Sequence, residues 1–144
     1  MPFEELFLIE IKDVKMTKEK ARMLNPLVLA YVGDSIYDLY VRTSLIMHEK
    51  GNVGNLHRIS AKIVNAKAQA NTLRIIENTL SEEEEYIFHR GRNAHSATVP
   101  KNMSVSDYRC ATGLEALVGY LFLTGNKDRI EEIMEAAVKA EDEA

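Results

Sequence analysis

Two stretches of this chain are almost wholly apolar, and each embeds a carboxylate. Asp34 lies in Leu29-Ala30-Tyr31-Val32-Gly33-Asp34-Ser35-Ile36-Tyr37-Asp38-Leu39-Tyr40-Val41. Glu115 lies in Gly113-Leu114-Glu115-Ala116-Leu117-Val118-Gly119-Tyr120-Leu121-Phe122-Leu123. Both stretches read as helices rather than strands. An ionised carboxylate among apolar neighbours is costly unless a cation, a metal or a raised pKa compensates it. If the two helices pack together, the acids form a small site in an apolar wall, a plausible seat for a divalent metal. Gly33, Gly113 and Gly119 weaken the helices that hold them. Close helix packing or close ligand approach would justify them.

The rest of the chain also reads as helix. Strand-like alternation is confined to Phe7 to Ile11. A first helix is expected over Thr17 to Leu24, with Thr17 as N-cap. A longer one starts at Pro26, a residue suited to the first turn, and runs to about Glu49. Gly51 and Gly54 flank Asn52 and break the chain. A third helix is expected from Asn55 or Leu56 to about Glu77. On it, Arg58, Lys62, Asn65, Gln69 and Thr72 form a polar stripe without acids, beside an apolar stripe of Ile59, Ile63, Ala66, Ala70 and Leu73. Ser81-Glu82-Glu83-Glu84 has the form of a capping box, opening a helix that ends near Asn93 to Ser96. Ala97 to Ser104, with Pro100, is expected as loop. Further helices cover about Val105 to Thr124 and Asn126 to Ala140, separated by Gly125. The expected architecture is all-α, with one domain over residues 17–140, an N-terminal extension over 1–16 and a frayed tail over 141–144.

Composition narrows the function. The 144 residues fit one domain. Cys110 is the only cysteine, which excludes an internal disulfide and a cysteine-rich zinc site. The N-terminus lacks the form of a signal peptide, and no apolar run reaches membrane-spanning length, so a cytoplasmic location is expected. A net charge of −4 argues against nucleic-acid binding by bulk charge alone. The charges are segregated, however. Arg58, Lys62, Lys67 and Arg74 form one basic run, and Arg90, Arg92, Lys101 and Arg109 another, whereas acids gather at Glu82 to Glu85 and near the C-terminus. Such segregation either makes a basic face on an acidic protein or reflects ordinary solvated helix faces.

Oxygen ligands of this kind suit Mg²⁺, which keeps several waters and needs few protein ligands. Asp38 shares a helix face with Asp34 and is a further candidate ligand. The structural alternatives are an N-cap role for Asp34 after Gly33, an ion pair for Asp38, and a partnership of Glu115 with Arg109 or Arg42. His48, His57, His89 and His95 have no metal-binding spacing, and neither a serine-nucleophile elbow nor a glycine-rich phosphate loop is present. Arg90-Gly91-Arg92-Asn93, with Thr98, Lys101 and Asn102, could grip phosphates, Gly91 permitting a close backbone approach. Tyr31, Tyr37 and Tyr40 read as core or dimer contacts.

Several spaced segments together resemble the catalytic domain of ribonuclease III, in its short Mini form. Ala30-Tyr31-Val32-Gly33-Asp34-Ser35-Ile36-Tyr37-Asp38 and Leu114-Glu115-Ala116-Leu117-Val118-Gly119 resemble its two signature helices. His57-Arg58-Ile59-Ser60, Val64-Asn65-Ala66-Lys67-Ala68-Gln69, Arg90-Gly91-Arg92-Asn93-Ala94 and Pro100-Lys101-Asn102 resemble the Mini-type segments between them. The resemblance covers about Asn25 to Leu123, and as in the Mini form no double-stranded RNA-binding domain is expected after it. It implies a homodimeric Mg²⁺-dependent endoribonuclease that cuts double-stranded RNA, with Asp34 and Glu115 as essential metal-binding acids. The family's long members carry further acids where this chain has Ala30 and Thr112, which implies fewer protein ligands. Arg58, Lys62, Asn65, Gln69, Arg90, Arg92 and Lys101 are the expected RNA contacts. The expected substrate is precursor large-subunit (23S) ribosomal RNA, with a ribosomal protein as a candidate partner. Two other readings stay open: a non-catalytic RNA-binding module of the same fold, and a helical dimerisation scaffold.

Overall fold

The computed structural model describes residues 10–48, 51–94 and 99–142. Among them are seven α-helices and no strand: α1 (Lys18–Arg22), α2 (Pro26–His48), α3 (Val53–Val64), α4 (Ala66–Ile76), α5 (Glu82–Asn93), α6 (Val105–Leu123) and α7 (Lys127–Asp142). Phe7 to Ile9 of the strand-like segment lie outside the described residues, and Ile11 belongs to a short 3-10 turn, Ile11–Asp13. His95 and Thr98 also lie outside them.

Side chains set most helix boundaries. Thr17, Asn52, Asn65, Ser81 and Ser104 each accept a backbone N–H in the first turn of α1, α3, α4, α5 and α6. Ser81 and Glu84 form the expected reciprocal box at the start of α5. Gly125, at φ 81, supplies the left-handed turn between α6 and α7. Gly54 lies inside α3 rather than marking a break.

The single helix expected from about Asn55 to Glu77 is two helices. Asn65 adopts ψ 160, outside the helical range, and separates α3 from α4. Its side-chain oxygen accepts from Ala68 N at 2.8 Å, and its amide donates to the Ala61 and Lys62 carbonyls at 3.0 and 3.1 Å. One asparagine thus ends one helix and starts the next. The break also divides the polar stripe. Arg58 and Lys62 remain exposed on α3, whereas Gln69 and Thr72 turn inward on α4.

Helix α6 is the hub. Ala111, Gly113, Leu114 and every residue from Ala116 to Leu121 are buried. It packs against α2, α4, α5 and α7. A helix apolar on all sides belongs in the core, which accounts for its composition. Two pairs of glycines let its neighbours approach. Gly91 of α5 meets Gly113 of α6, where an added Cβ would lie 2.9 Å from the Gly113 Cα. Gly91 therefore serves helix packing, not the phosphate approach that its basic neighbours suggested. Gly33 and Gly119 form the second crossing. At the far end, Arg129 of α7 ties to Glu84 at 2.9 Å and to the Thr79 carbonyl at 3.2 Å, locking α7 onto α5.

Candidate active site

The crossing of α2 and α6 is close enough for backbone to touch backbone. A Cβ on Gly33 would fall 1.7 Å from the Glu115 carbonyl oxygen, and one on Gly119 would fall 2.0 Å from the Leu29 carbonyl oxygen. Only hydrogen fits at either position. Asp34 directly follows Gly33, and the carbonyl that Gly33 touches belongs to Glu115. The crossing therefore brings the two carboxylates within hydrogen-bonding reach of each other.

Their surroundings differ. Asp34 is exposed and lies in the middle of α2, so it is not an N-cap. Glu115 is largely buried. Burial pushes its carboxyl up to about 9, and the hydrogen bond and charge of Asp34 push in the same direction. The Gln69 amide, reaching across from α4, opposes them. Without a cation Glu115 therefore keeps its proton at neutral pH, chiefly because burial disfavours its charged form, with repulsion by the adjacent Asp34 adding to it. A divalent cation relieves the same repulsion. The donor set fits Mg²⁺, which takes one or two carboxylates and keeps several waters. No group of three or more His, Cys, Asp or Glu among the described residues is arranged to hold a metal. Ala30 is buried, and the Thr112 hydroxyl donates to the Tyr108 carbonyl at 3.0 Å, so neither position adds an acid.

The remaining candidates are dispersed. Asp38 pairs with Arg42 on its own helix at 3.0 Å. Asp107 pairs with Arg74 at 3.7 Å. Arg109 does not partner Glu115; it lines a cleft with Arg92, Asn93, Val105 and Ser106, between the end of α5 and the start of α6. Arg109 belongs to the same basic run as Arg92 but is not among the expected RNA contacts; the packing of α5 against α6 sets the two on one cleft. Arg58 and Lys62 are exposed on α3, and Lys101 is exposed on the loop before α6. Arg90 is half-buried instead. Its guanidinium donates to the Arg22 carbonyl at 2.5 Å and lies 5.8 Å from the Tyr86 ring centre. Two expected RNA contacts are placed differently from the rest: Asn65 is exposed at the helix break with its amide bonded to backbone, and Gln69 is 3% exposed.

Residues 27–126 match the Ribonuclease III domain. The chain belongs to the ribonuclease III family. It is 47% identical over 128 residues to Mini-ribonuclease 3 of Thermoanaerobacter sp., covering 89% of this chain and 90% of that protein. It is 43% identical over 131 residues to Mini-ribonuclease 3 of Clostridium tetani, covering 90% and 87% respectively. A crystal structure of a Fusobacterium nucleatum protein superposes with a TM-score of 0.76 at 32% identity, covering 83% of this chain and 96% of that one. As a ribonuclease III family member the protein is an endoribonuclease, and enzymes of this family depend on a metal. Both acids of the α2–α6 crossing fall inside the matched residues. No helix among the described residues is long and apolar enough to cross a membrane.

Proposed function

We propose that this ribonuclease III family protein cuts double-stranded RNA with Mg²⁺ held by Asp34 and Glu115. The observation that carries the reading is the carboxylate pair formed where α2 and α6 touch at Gly33. Bound there, Mg²⁺ would supply positive charge to the phosphodiester under attack and would make a water more acidic. Asp34, open to solvent, faces the incoming phosphodiester. Glu115, set deeper, anchors the pair. Arg58, Lys62, Arg92 and Lys101 contact backbone phosphates, and Arg109 joins Arg92. Such contacts read duplex shape, since A-form RNA offers phosphates and 2′-hydroxyls across a shallow groove.

A homodimer completes the reading. Val28, Tyr31, Leu39 and Ile46 fall on one outer face of α2 and are exposed, Tyr31 by 80%. An apolar helix face of this kind favours a second copy as its cover. Two-fold symmetry then provides one carboxylate pair per RNA strand. The substrate we propose is precursor large-subunit ribosomal RNA in the cytoplasm, with a ribosomal protein as a candidate aid to its presentation.

The test is incubation of a labelled RNA duplex at low salt with Mg²⁺, with chelator, and with the Asp34→Asn and Glu115→Gln proteins. Internal cuts on both strands are expected only with Mg²⁺ and both acids. A duplex bound but left intact under all conditions overturns the reading in favour of a binding module. A precursor ribosomal RNA stem cut no faster than an unrelated duplex removes the substrate assignment.

A further inference from the structure

We infer that Gln69 is a positioning residue for the metal site, holding the Glu115 carboxylate in place from the adjacent helix α4. This rests on the metal-pair reading above and adds a residue to it.

Among the described residues, four polar or charged side chains are buried: Ser60, Gln69, Thr72 and Glu84. Local structure accounts for three of them. The Ser60 hydroxyl donates to the His57 carbonyl at 3.1 Å, and the Thr72 hydroxyl to the Ala68 carbonyl at 3.0 Å. Glu84 closes its capping box and pairs with Arg129. Gln69 alone reaches from one helix to a functional acid on another. Burying an amide is costly without a partner, and an apolar side chain of similar size would fill the same space more favourably. The amide is therefore there for its hydrogen bond. Its N–H donates to the Glu115 carboxylate, which also lies within hydrogen-bonding reach of Asp34.

The backbone shows how Gln69 comes to face inward. On an uninterrupted helix it would continue the exposed row of Arg58 and Lys62. The Asn65 break ends that row, and α4 starts afresh with Gln69 N donating to the Asn65 carbonyl at 3.0 Å. The new direction turns Gln69 toward α6. Burial at 3% leaves it no surface for a phosphate. A hydrogen bond to one carboxylate oxygen fixes the rotation of the group, which fixes where the other oxygen points. Partners of this kind typically contribute about 10–100-fold to metal affinity.

The experiment is Mn²⁺ titration of the wild type, Asp34→Asn, Gln69→Met and Gln69→Asn, read by the electron paramagnetic resonance signal of free Mn²⁺. Gln69→Met keeps the length without the amide, and Gln69→Asn keeps the amide but shortens its reach. If Gln69→Met fails to fold, Gln69→Asn carries the test. Both are expected to bind Mn²⁺ about 10–100-fold more weakly than wild type, with affinity for an RNA duplex in chelator unchanged. Wild-type Mn²⁺ affinity in both folded variants overturns the inference. So does a loss of duplex affinity with Mn²⁺ binding intact, which would make Gln69 an RNA contact. Absence of Mn²⁺ binding in the wild type instead overturns the metal-pair reading, and this inference with it.

Discussion

Replacing Gly33 with alanine sets two effects of opposite sign against each other. Alanine is the better helix former by about 1 kcal/mol. Helix propensity alone therefore predicts a more stable protein. The tertiary structure predicts the reverse, because the added Cβ would lie 1.7 Å from the Glu115 carbonyl oxygen, 2.6 Å from its carbon and 2.9 Å from Gly119 N. Comfortable contact needs about 3.5 Å, so the helices must part by roughly 1.5 Å or more. All three obstacles are backbone atoms, which no rotamer change can move. Overpacking costs about 1–3 kcal/mol, and a backbone clash belongs at or above the upper end. After the gain in propensity, the net loss is about 2 kcal/mol. In a chain of this size the melting temperature should fall by about 4–8 °C, at about 2–4 °C per kcal/mol. Thermal melts by circular dichroism measure it directly. Duplex cleavage should fall further than the folded fraction does, because parting the helices separates Asp34 from Glu115. Gly91→Ala is the comparison: it clashes with Ala116 Cβ at 2.7 Å and with the Gly113 Cα on another side of α6. It should lose stability with less effect on cleavage per folded molecule. A Gly33→Ala protein that melts at or above the wild-type temperature would refute the argument that this crossing is closed by backbone contact.

Three further outcomes follow from charge and exposure. Glu115 keeps its proton up to about 9 in the metal-free fold, against 4.5 as its ordinary value. The folded state binds the extra proton between those values, so metal-free stability should fall as pH rises from about 5 to about 9. Glu115→Gln should flatten that slope in urea titrations, and an unchanged slope would place its origin elsewhere. Arg129→Ala strands Glu84 and the Thr79 carbonyl, to which the guanidinium bonds at 2.9 and 3.2 Å. The expected loss is about 3 kcal/mol by urea unfolding; a loss under about 1 kcal/mol would class the pair with surface ion pairs. Tyr31→Asp puts a charge in the exposed α2 stripe and should give monomers by sedimentation velocity, whereas a persisting dimer would remove that stripe from the interface.

Local chemistry made much of the architecture legible in advance. The capping box at Ser81, the N-cap at Thr17, Pro26 in a first turn and Gly125 in a left-handed turn act through neighbouring residues, and each was readable from the sequence. Asn65 was legible in part. Along the chain it reads as a surface amide on a continuous stripe, whereas in the fold it caps both helices that meet there. An asparagine satisfies either role from the same sequence pattern, and only the backbone path separates them.

The sequence by itself determined the helical class, the two segments that carry the acids, and the family resemblance of those segments. These depend on periodicity, composition and motif spacing, which lie along the chain. Only the tertiary structure decided that Gly33 and Gly119 press α2 against α6, that Asp34 faces solvent while Glu115 is set deeper, and that Gln69 is buried within reach of Glu115. Asp38 and Arg90 likewise found their partners, Arg42 and the Arg22 carbonyl, only in the folded chain. The physical reason is that burial and charge coupling depend on distance in space. The residues concerned come from helices far apart along the chain, and their distances are set by how closely those helices can pack.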